Sequence, residues 1–155
     1  MPPVSIGKKV PAFKIPATGD KAIASKDLAG QAYVLFFYPR DNTPGCTTEG
    51  QNFRDAYAKF KRQKVEVFGI SRDNLRSHER FKTKFEFPFE LLSDEDEQLC
   101  SVFEVVKDKN MYGKKVRGIE RSTFLIDATG KLRREWRKVK IDGHVDEVLA
   151  AAKEL

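Results

Sequence analysis

Cysteine and histidine are scarce in this 155-residue chain, which has two of each. Small secreted proteins held together by a framework of disulfides need more cysteines, so that class is excluded. A zinc site built from Cys and His ligands is not expected either, because the chain has only two histidines beside Cys46 and Cys100. Any chemistry that a cysteine performs here must therefore depend on its local surroundings.

The chain also lacks long apolar runs, repeats and linkers. No stretch reaches the roughly 18 apolar residues of a membrane span, and the first ten residues have no apolar segment after their positive charges. We therefore expect a cytoplasmic protein with no membrane association. Without a repeat or a Ser/Gly-rich linker, residues 1–155 are predicted to form one domain. A composition that is 40% hydrophobic, with 12 Phe, suffices for a buried core.

Positive charge is in excess, with a formal net charge of +6. A group of cations surrounds Trp136, namely Lys131, Arg133, Arg134, Arg137, Lys138 and Lys140. A hairpin that binds nucleic acid is one interpretation of this basic stretch. Leu132, Glu135 and Val139 interrupt the charges, however, which is typical of a strand with a solvated polar face. We favour the solvated strand and expect no nucleic-acid partner.

The order of the predicted elements indicates an α/β fold. Residues 32–38 are continuously apolar and stop at Pro39, which is typical of a strand covered on both faces. A helix over about residues 45–62 is predicted from the 3.6-residue spacing of Phe53, Ala56, Tyr57 and Phe60. A strand over 65–71 follows, and then a second helix with an apolar side that carries Leu75, His78, Phe81 and Phe85.

Shorter elements complete the prediction. A small hairpin is expected before residue 30, and a short strand near 90–92 precedes a helix around 99–103. Met111 and Tyr112 are interpreted as part of a Lys/Gly-rich loop, residues 122–139 as a hairpin and about 145–153 as the last helix. This order describes a thioredoxin-like α/β fold, with an N-terminal β-hairpin and a mixed central sheet flanked by helices.

Cys46 is the candidate nucleophile, because it follows a Pro/Gly-marked loop and falls in the first turn of a predicted helix. A cysteine attacks as its thiolate, and the backbone N–H groups and positive dipole of a helix start favour an anion. The alternative is a buried cysteine that acts as a small hydrophobic residue. Small or polar neighbours, Gly45 and Thr47, favour the reactive cysteine.

The motif Pro-x-x-x-Thr-x-x-Cys at residues 39–46 resembles the active-site motif of peroxiredoxins. Its flanks, Phe-Tyr-Pro-Arg-Asp-Asn-Thr-Pro-Gly-Cys-Thr-Thr-Glu at 37–49, are similar to the Q-type group, also called bacterioferritin comigratory proteins. Residues 91–94, 109–114 and 119–127 also resemble segments of this group, so the resemblance covers nearly the whole chain.

The resemblance implies a thiol-dependent peroxidase that reduces hydrogen peroxide and organic hydroperoxides without a metal or organic cofactor. Cys46 would be the peroxidatic thiolate that becomes a sulfenic acid, and Thr43 would hydrogen-bond to the peroxide and the sulfur. Pro39 would shield the pocket, Arg121 would stabilise the thiolate and the developing charge, and Glu49 would orient an arginine. Arg40 and Asp41 are ordinary loop charges in this interpretation and are left outside the catalytic set.

The chain departs from the family where a resolving cysteine is expected, because Gln51 and Lys82 occupy those positions. Cys100 is the remaining thiol, and we interpret it as a partly buried helix cysteine rather than a resolving one. A one-cysteine mechanism is therefore predicted, in which thioredoxin, glutaredoxin or glutathione recycles the protein. The group is often monomeric, so we expect a monomer.

Two other functions compete with the peroxidase. A thioredoxin-like binding module would use the basic hairpin for nucleic acid, with Cys46 incidental. A disulfide oxidoreductase normally requires Cys-x-x-Cys, and position 49 is Glu49, so this function ranks last. His78 and His144 have no partner at a telling spacing and are predicted to lie at the core edge or the surface.

Overall fold

The computed structural model describes residues 3–155. Its strands are β1 Lys14–Ala17, β2 Lys21–Ala24, β3 Ala32–Phe37, β4 Val65–Ser71, β5 Leu91–Ser93, β6 Val106–Met111, β7 Lys114–Ile119, β8 Ser122–Ile126 and β9 Leu132–Arg137. The α-helices are α1 Pro44–Arg62, α2 Leu75–Phe85, α3 Gln98–Phe103 and α4 His144–Lys153.

A seven-stranded mixed sheet forms the centre, in the order β2-β1-β5-β4-β3-β8-β9. Strands β3, β4 and β5 are parallel to one another, while β8 pairs antiparallel with β3. In the middle of the sheet Leu35 lies opposite Phe68 on one side and Phe124 on the other. The thioredoxin-like α/β fold predicted from the sequence is confirmed, including the N-terminal hairpin of β1 and β2.

Alternate residues of β3 point to two separate cores, as the two-residue period of a strand requires. Val34 and Phe36 lie in the core that α1, α2 and α4 cover. Leu35 and Phe37 lie in the core on the other face, which α3 covers. Because β3 is buried on both faces, its continuous apolar run was the clearest strand signal in the sequence.

The active-site loop, residues 39–43, leaves the carboxyl end of β3. The amide of Tyr38 still donates to the carbonyl of Ile70, and Pro39 then ends the pairing because it has no N–H. Pro44 occupies the first turn of α1, where its missing N–H costs nothing. The loop therefore lies at the sheet edge where parallel strands end and where ligands gather in open α/β sheets.

Met111 and Tyr112 were predicted to lie in a Lys/Gly-rich loop, which is wrong for Met111 because it ends β6, while Tyr112 lies in the turn that follows. The two strands on either side of this turn form a separate two-stranded sheet, in which β6 pairs antiparallel with β7 from Val106↔Ile119 to Met111↔Lys114. Tyr112 and Gly113 make the turn with φ of 53° and 78°, as a two-residue hairpin turn with positive φ at both positions requires. Residues 114–117 are all exposed, so the hairpin lacks the apolar alternation that marks a half-buried strand.

None of the α-helices within residues 3–155 combines the length and the apolar character needed to cross a bilayer.

Candidate active site

Cys46 is buried in the first turn of α1, with 2% of its surface exposed. Thr43 is the residue before the helix, and its carbonyl accepts the first helical hydrogen bond from the amide of Thr47 at 2.9 Å. The backbone N–H groups of this first turn have no partner further back in the helix, and they create a positive field. The Cys46 sulfur lies in that field, as the sequence predicted.

Arg121 directly precedes β8 and reaches the same point from the neighbouring strand. Since Ser122 pairs with Phe37, the start of β8 lies beside the end of β3. The Arg121 guanidinium donates from Nη2 to the Cys46 sulfur at 3.4 Å and from Nη1 to Glu49 Oε1 at 2.7 Å. Burial lowers the pKa of Arg121, but its attraction to Glu49 and Cys46 and its hydrogen bonds to them outweigh that cost and raise the pKa.

Gly45 makes this approach possible. A Cβ at position 45 would lie 3.2 Å from Nη2 of Arg121 and 3.2 Å from Cδ1 of Ile141. Contacts that short require the neighbouring side chain to move. The glycine before Cys46 therefore leaves room for the guanidinium beside the sulfur.

Glu49 lies three residues after Cys46, close to one turn along α1, and is completely buried. Burial raises the pKa of its carboxyl from 4.5 to about 7, against the opposing attraction of Arg121. Its Oε2 has no hydrogen-bond partner within residues 3–155, a state that a neutral carboxyl tolerates better than an ionised one. Glu49 therefore holds Arg121 through one oxygen while the other lies in an apolar environment.

Thr43 and Pro39 both lie in the loop that precedes Cys46, and both are partly exposed. The hydroxyl of Thr43 donates to the carbonyl of Arg40 at 2.9 Å, not to the Cys46 sulfur. Its oxygen lone pairs remain available to accept a hydrogen bond from a ligand. The structure thus brings the predicted cysteine, arginine and glutamate into direct contact, and gives Thr43 a different partner from the one expected.

The prediction that both histidines lie at the core edge or the surface was wrong. His144 is 4% exposed at the start of α4, with Nε2 2.8 Å from the hydroxyl of Thr123. Burial, and next the positive charge of Arg121, lower its pKa from 6.5 to about 4. His78 is fully buried and contacts Asp41 in the active-site loop.

Asp41, Asp73 and His78 form a cluster of acidic and histidine side chains that includes a residue of the 39–46 motif. One ligand atom from each lies within 4.8 Å of the others, a separation that could suit a metal ion. Those atoms are engaged in hydrogen bonds, however, since Asp41 Oδ2 accepts from His78 and Asp73 Oδ2 accepts from the amide of Asp41. The cluster is a hydrogen-bonded network in this structure.

Cys100 lies on the other side of the sheet from Cys46. Cys46 belongs to the core under α1, α2 and α4, whereas Cys100 belongs to the core under α3. Cys100 is buried rather than partly buried, with 1% exposed. Burial, and next the charge of Asp94, raise the pKa of its thiol well above the usual value. A thiol that stays protonated is a poor nucleophile, so Cys100 is expected to be unreactive.

The cations of β9 are largely engaged at the surface. Arg133 pairs with Asp127, Arg137 pairs with Glu135, and the Arg134 guanidinium lies 5.2 Å from the ring centre of Trp136. These contacts are typical of a solvated strand face. They do not favour the nucleic-acid alternative.

The chain is similar to known proteins over most of its length. Residues 6–135 match the AhpC/TSA family model. The chain is 53% identical over 125 residues to peroxiredoxin Bcp of Xanthomonas campestris, covering 81% of this chain and 78% of the relative. It is 43% identical over 152 residues to peroxiredoxin Bcp of Bacillus subtilis, covering 98% and 97%.

Solved structures show the same relationship. Peroxiredoxin Q of Xanthomonas campestris superposes with a TM-score of 0.87 at 47% identity, covering 92% of this chain and 90% of that one. A cysteine-to-serine mutant of PrxQ from Xylella fastidiosa gives 0.92 at 41% identity, with 97% and 96% covered. This chain belongs to the peroxiredoxin family, in its Q-type or bacterioferritin comigratory group, and is a thiol-dependent peroxidase.

Proposed function

We propose that Cys46 is the peroxidatic cysteine of this peroxidase. The observation that carries the proposal is the Arg121 guanidinium 3.4 Å from the Cys46 sulfur, at the start of a helix. Two fixed positive groups therefore stabilise a thiolate at one buried point. Glu49 keeps the guanidinium in place from the opposite side through its 2.7 Å hydrogen bond.

The reaction follows from this arrangement. The Cys46 thiolate attacks the terminal oxygen of a hydroperoxide, forming an S–O bond as the O–O bond breaks. Negative charge develops on the departing oxygen, which Arg121 stabilises before that oxygen takes a proton and leaves as water or an alcohol. Thr43 accepts a hydrogen bond from the peroxide, and Pro39 shields the pocket from water. Cys46 is left as a sulfenic acid.

Recycling of the sulfenic acid falls to an external thiol in this proposal. Cys100 lies across the sheet in a different core, and neither Gln51 nor Lys82 can form a disulfide. A thiolate from outside therefore condenses with the sulfenic acid, releasing water, and a second thiol then reduces the mixed disulfide. Thioredoxin, glutaredoxin or glutathione supplies these thiols, which also requires a reducing compartment such as the cytoplasm.

We further propose that the protein acts as a monomer. The exposed large apolar side chains within residues 3–155 are scattered over the chain rather than gathered on one element: Ile6, Leu75, Tyr112, Val116 and Leu155. The edge strand β9 presents exposed arginines, which oppose edge-to-edge pairing. Sedimentation velocity at micromolar concentration would test this.

The test of the mechanism uses the two single-cysteine variants as a matched pair. Cys46→Ser should abolish peroxide reduction, whereas Cys100→Ser should leave turnover with an external thiol unchanged. After peroxide treatment, non-reducing peptide mass spectrometry should find no Cys46–Cys100 link. A stoichiometric link between the two would overturn the one-cysteine mechanism, and turnover in Cys46→Ser would overturn the role of Cys46.

A further inference from the structure

Asp41 is a buried carboxylate inside the active-site loop that the peroxide chemistry does not use. It is 7% exposed and lies between Pro39 and Thr43. Its Oδ1 accepts from the hydroxyl of Tyr38 at 2.7 Å, and its Oδ2 accepts from Ser77 Oγ at 2.8 Å. Oδ2 also contacts Nδ1 of His78 at 2.7 Å. Three side chains thus converge on one carboxylate.

His78 lies between two hydrogen-bond acceptors. Nδ1 faces the Asp41 carboxylate, and Nε2 faces the carbonyl of Leu92 at 2.8 Å, with the side chain fully buried. The Leu92 carbonyl can only accept, so Nε2 donates to it. His78 therefore links the Asp41 carboxylate in the loop to α2 and β5 through contacts at both ring nitrogens.

The backbone amide of Asp41 also fixes the loop, through a hydrogen bond to Asp73. The amide of Asp41 donates to Asp73 Oδ2 at 2.8 Å, and the hydroxyl of Ser71 at the end of β4 donates to that same oxygen at 2.5 Å. Asn42 then turns the chain with φ of 60°, a conformation that Asn adopts more readily than most residues. Asp41 thereby connects the loop to α2, β4 and β5.

We propose that Asp41 and His78 are positioning residues that hold the Pro39–Thr43 loop in the geometry for peroxide reduction. The proposal rests on the proposed function of Pro39 and Thr43, which flank Asp41 by two residues on either side. Arg121 and the start of α1 stabilise the Cys46 thiolate independently of this pair. Loss of the pair should therefore misplace the peroxide and leave the thiolate intact.

The test compares two reactions of the same sulfur. Peroxide reduction needs the loop geometry, whereas alkylation by iodoacetamide reports the thiolate without requiring a positioned peroxide. Asp41→Asn keeps the size of the side chain and replaces one of the two carboxylate acceptors with an amide donor, so its contacts with Tyr38 and His78 cannot both be kept unchanged. Its second-order rate with hydrogen peroxide should fall about 10- to 100-fold, the upper figure being the cost of misplacing a reactant by about 1 Å. Its alkylation rate from pH 5 to 9 should stay within about twofold of wild type.

Ser77→Ala is the milder second variant, since it removes one of the three side-chain contacts to the Asp41 carboxylate and leaves the contact with His78 in place. We expect a fall of about threefold or more in the peroxide rate, again without a change in alkylation. The matched control is Tyr57→Phe, which removes a 2.7 Å hydrogen bond to Glu66 far from the loop. It should react with peroxide at the wild-type rate. All variants are assayed below their melting temperatures.

Two outcomes would overturn the positioning role of Asp41 and His78. Peroxide rates within twofold of wild type in both folded variants would show that the loop keeps its geometry without it. A parallel fall in alkylation would show that the pair acts on the thiolate instead. Cys46→Ser, measured alongside, separates the positioning role of Asp41 and His78 from the proposed function of Cys46. Turnover in Cys46→Ser would overturn both proposals. A wild-type rate in Asp41→Asn together with an inactive Cys46→Ser would overturn the positioning role alone.

Discussion

Glu49→Gln should change how the stability of this protein depends on pH. The Glu49 carboxyl is fully buried, and its pKa is raised from 4.5 to about 7, first by burial and with Arg121 opposing the rise. Glutamine has nearly the same shape and stays neutral at every pH. The substitution therefore removes one ionisation and little else, especially when it is made in a Cys46→Ser background that also removes the neighbouring thiolate.

The direction of the stability change with pH follows from the sign of the pKa change of Glu49. The folded state binds the Glu49 proton more tightly than the unfolded state, so its stabilising contribution is complete below about pH 4.5. That contribution is lost as the pH rises through about 7. At about 1.4 kcal/mol for each pH unit between those two values, the parent should lose roughly 3 kcal/mol relative to Glu49→Gln. The two proteins should be nearly equal in stability at pH 4.5.

Urea unfolding at half-unit steps from pH 4.5 to 8 measures this difference directly. Glu147→Gln, which changes the same functional group at an exposed position of α4, is the matched control and should follow the parent curve. A flat difference between the parent and Glu49→Gln would refute the reasoning. A difference that grows in favour of the parent as the pH rises would show that the Arg121 ion pair outweighs burial.

Three further predictions concern the same region. Arg121→Lys removes the donor to the Cys46 sulfur and should lower the peroxide rate about 10²-fold in stopped-flow measurements, with the fold unchanged by circular dichroism. Gly50→Ala should destabilise the protein by about 1–3 kcal/mol in urea unfolding, because its Cβ would lie 2.5 Å from the Phe87 ring. His144→Gln should remove a loss of stability that the wild type suffers as the pH falls from about 6.5 towards 4, since burial lowers the His144 pKa to about 4. Each argument has an outcome that would contradict it. For Arg121→Lys it is a peroxide rate equal to wild type, and for Gly50→Ala it is an unchanged unfolding midpoint. For His144→Gln it is an acid-unfolding curve parallel to that of the wild type.

The sequence predicted those parts of the site that are local or marked by strong patterns. The apolar run of β3, the stop at Pro39 and the helix after it placed Cys46 in a helix start from neighbouring residues alone. The position of Arg121 required the resemblance to a family, because 75 residues separate it from Cys46 and only strand pairing brings the two together.

Other features depend on tertiary contacts that no sequence pattern marks. Asp41 and His78 are 37 residues apart, and each resembles an ordinary charge or helix residue until the fold buries both. The β6–β7 hairpin has little buried surface, so it lacks the alternation on which strand prediction depends. Its one local signal was Gly113, because glycine adopts a positive φ without steric cost, whereas nothing about Tyr112 marks the positive φ of 53° that it adopts.

The most direct test of the central claim is the site of oxidation after one equivalent of hydrogen peroxide. The reduced protein is treated with the peroxide, its sulfenic acid is trapped with a dimedone reagent, and the peptides are analysed by mass spectrometry. The account predicts near-stoichiometric modification of Cys46, an unmodified Cys100, and a rate that falls with Arg121→Lys. Trapped sulfenic acid on Cys100, or peroxide consumption at the wild-type rate in Cys46→Ser, would contradict it.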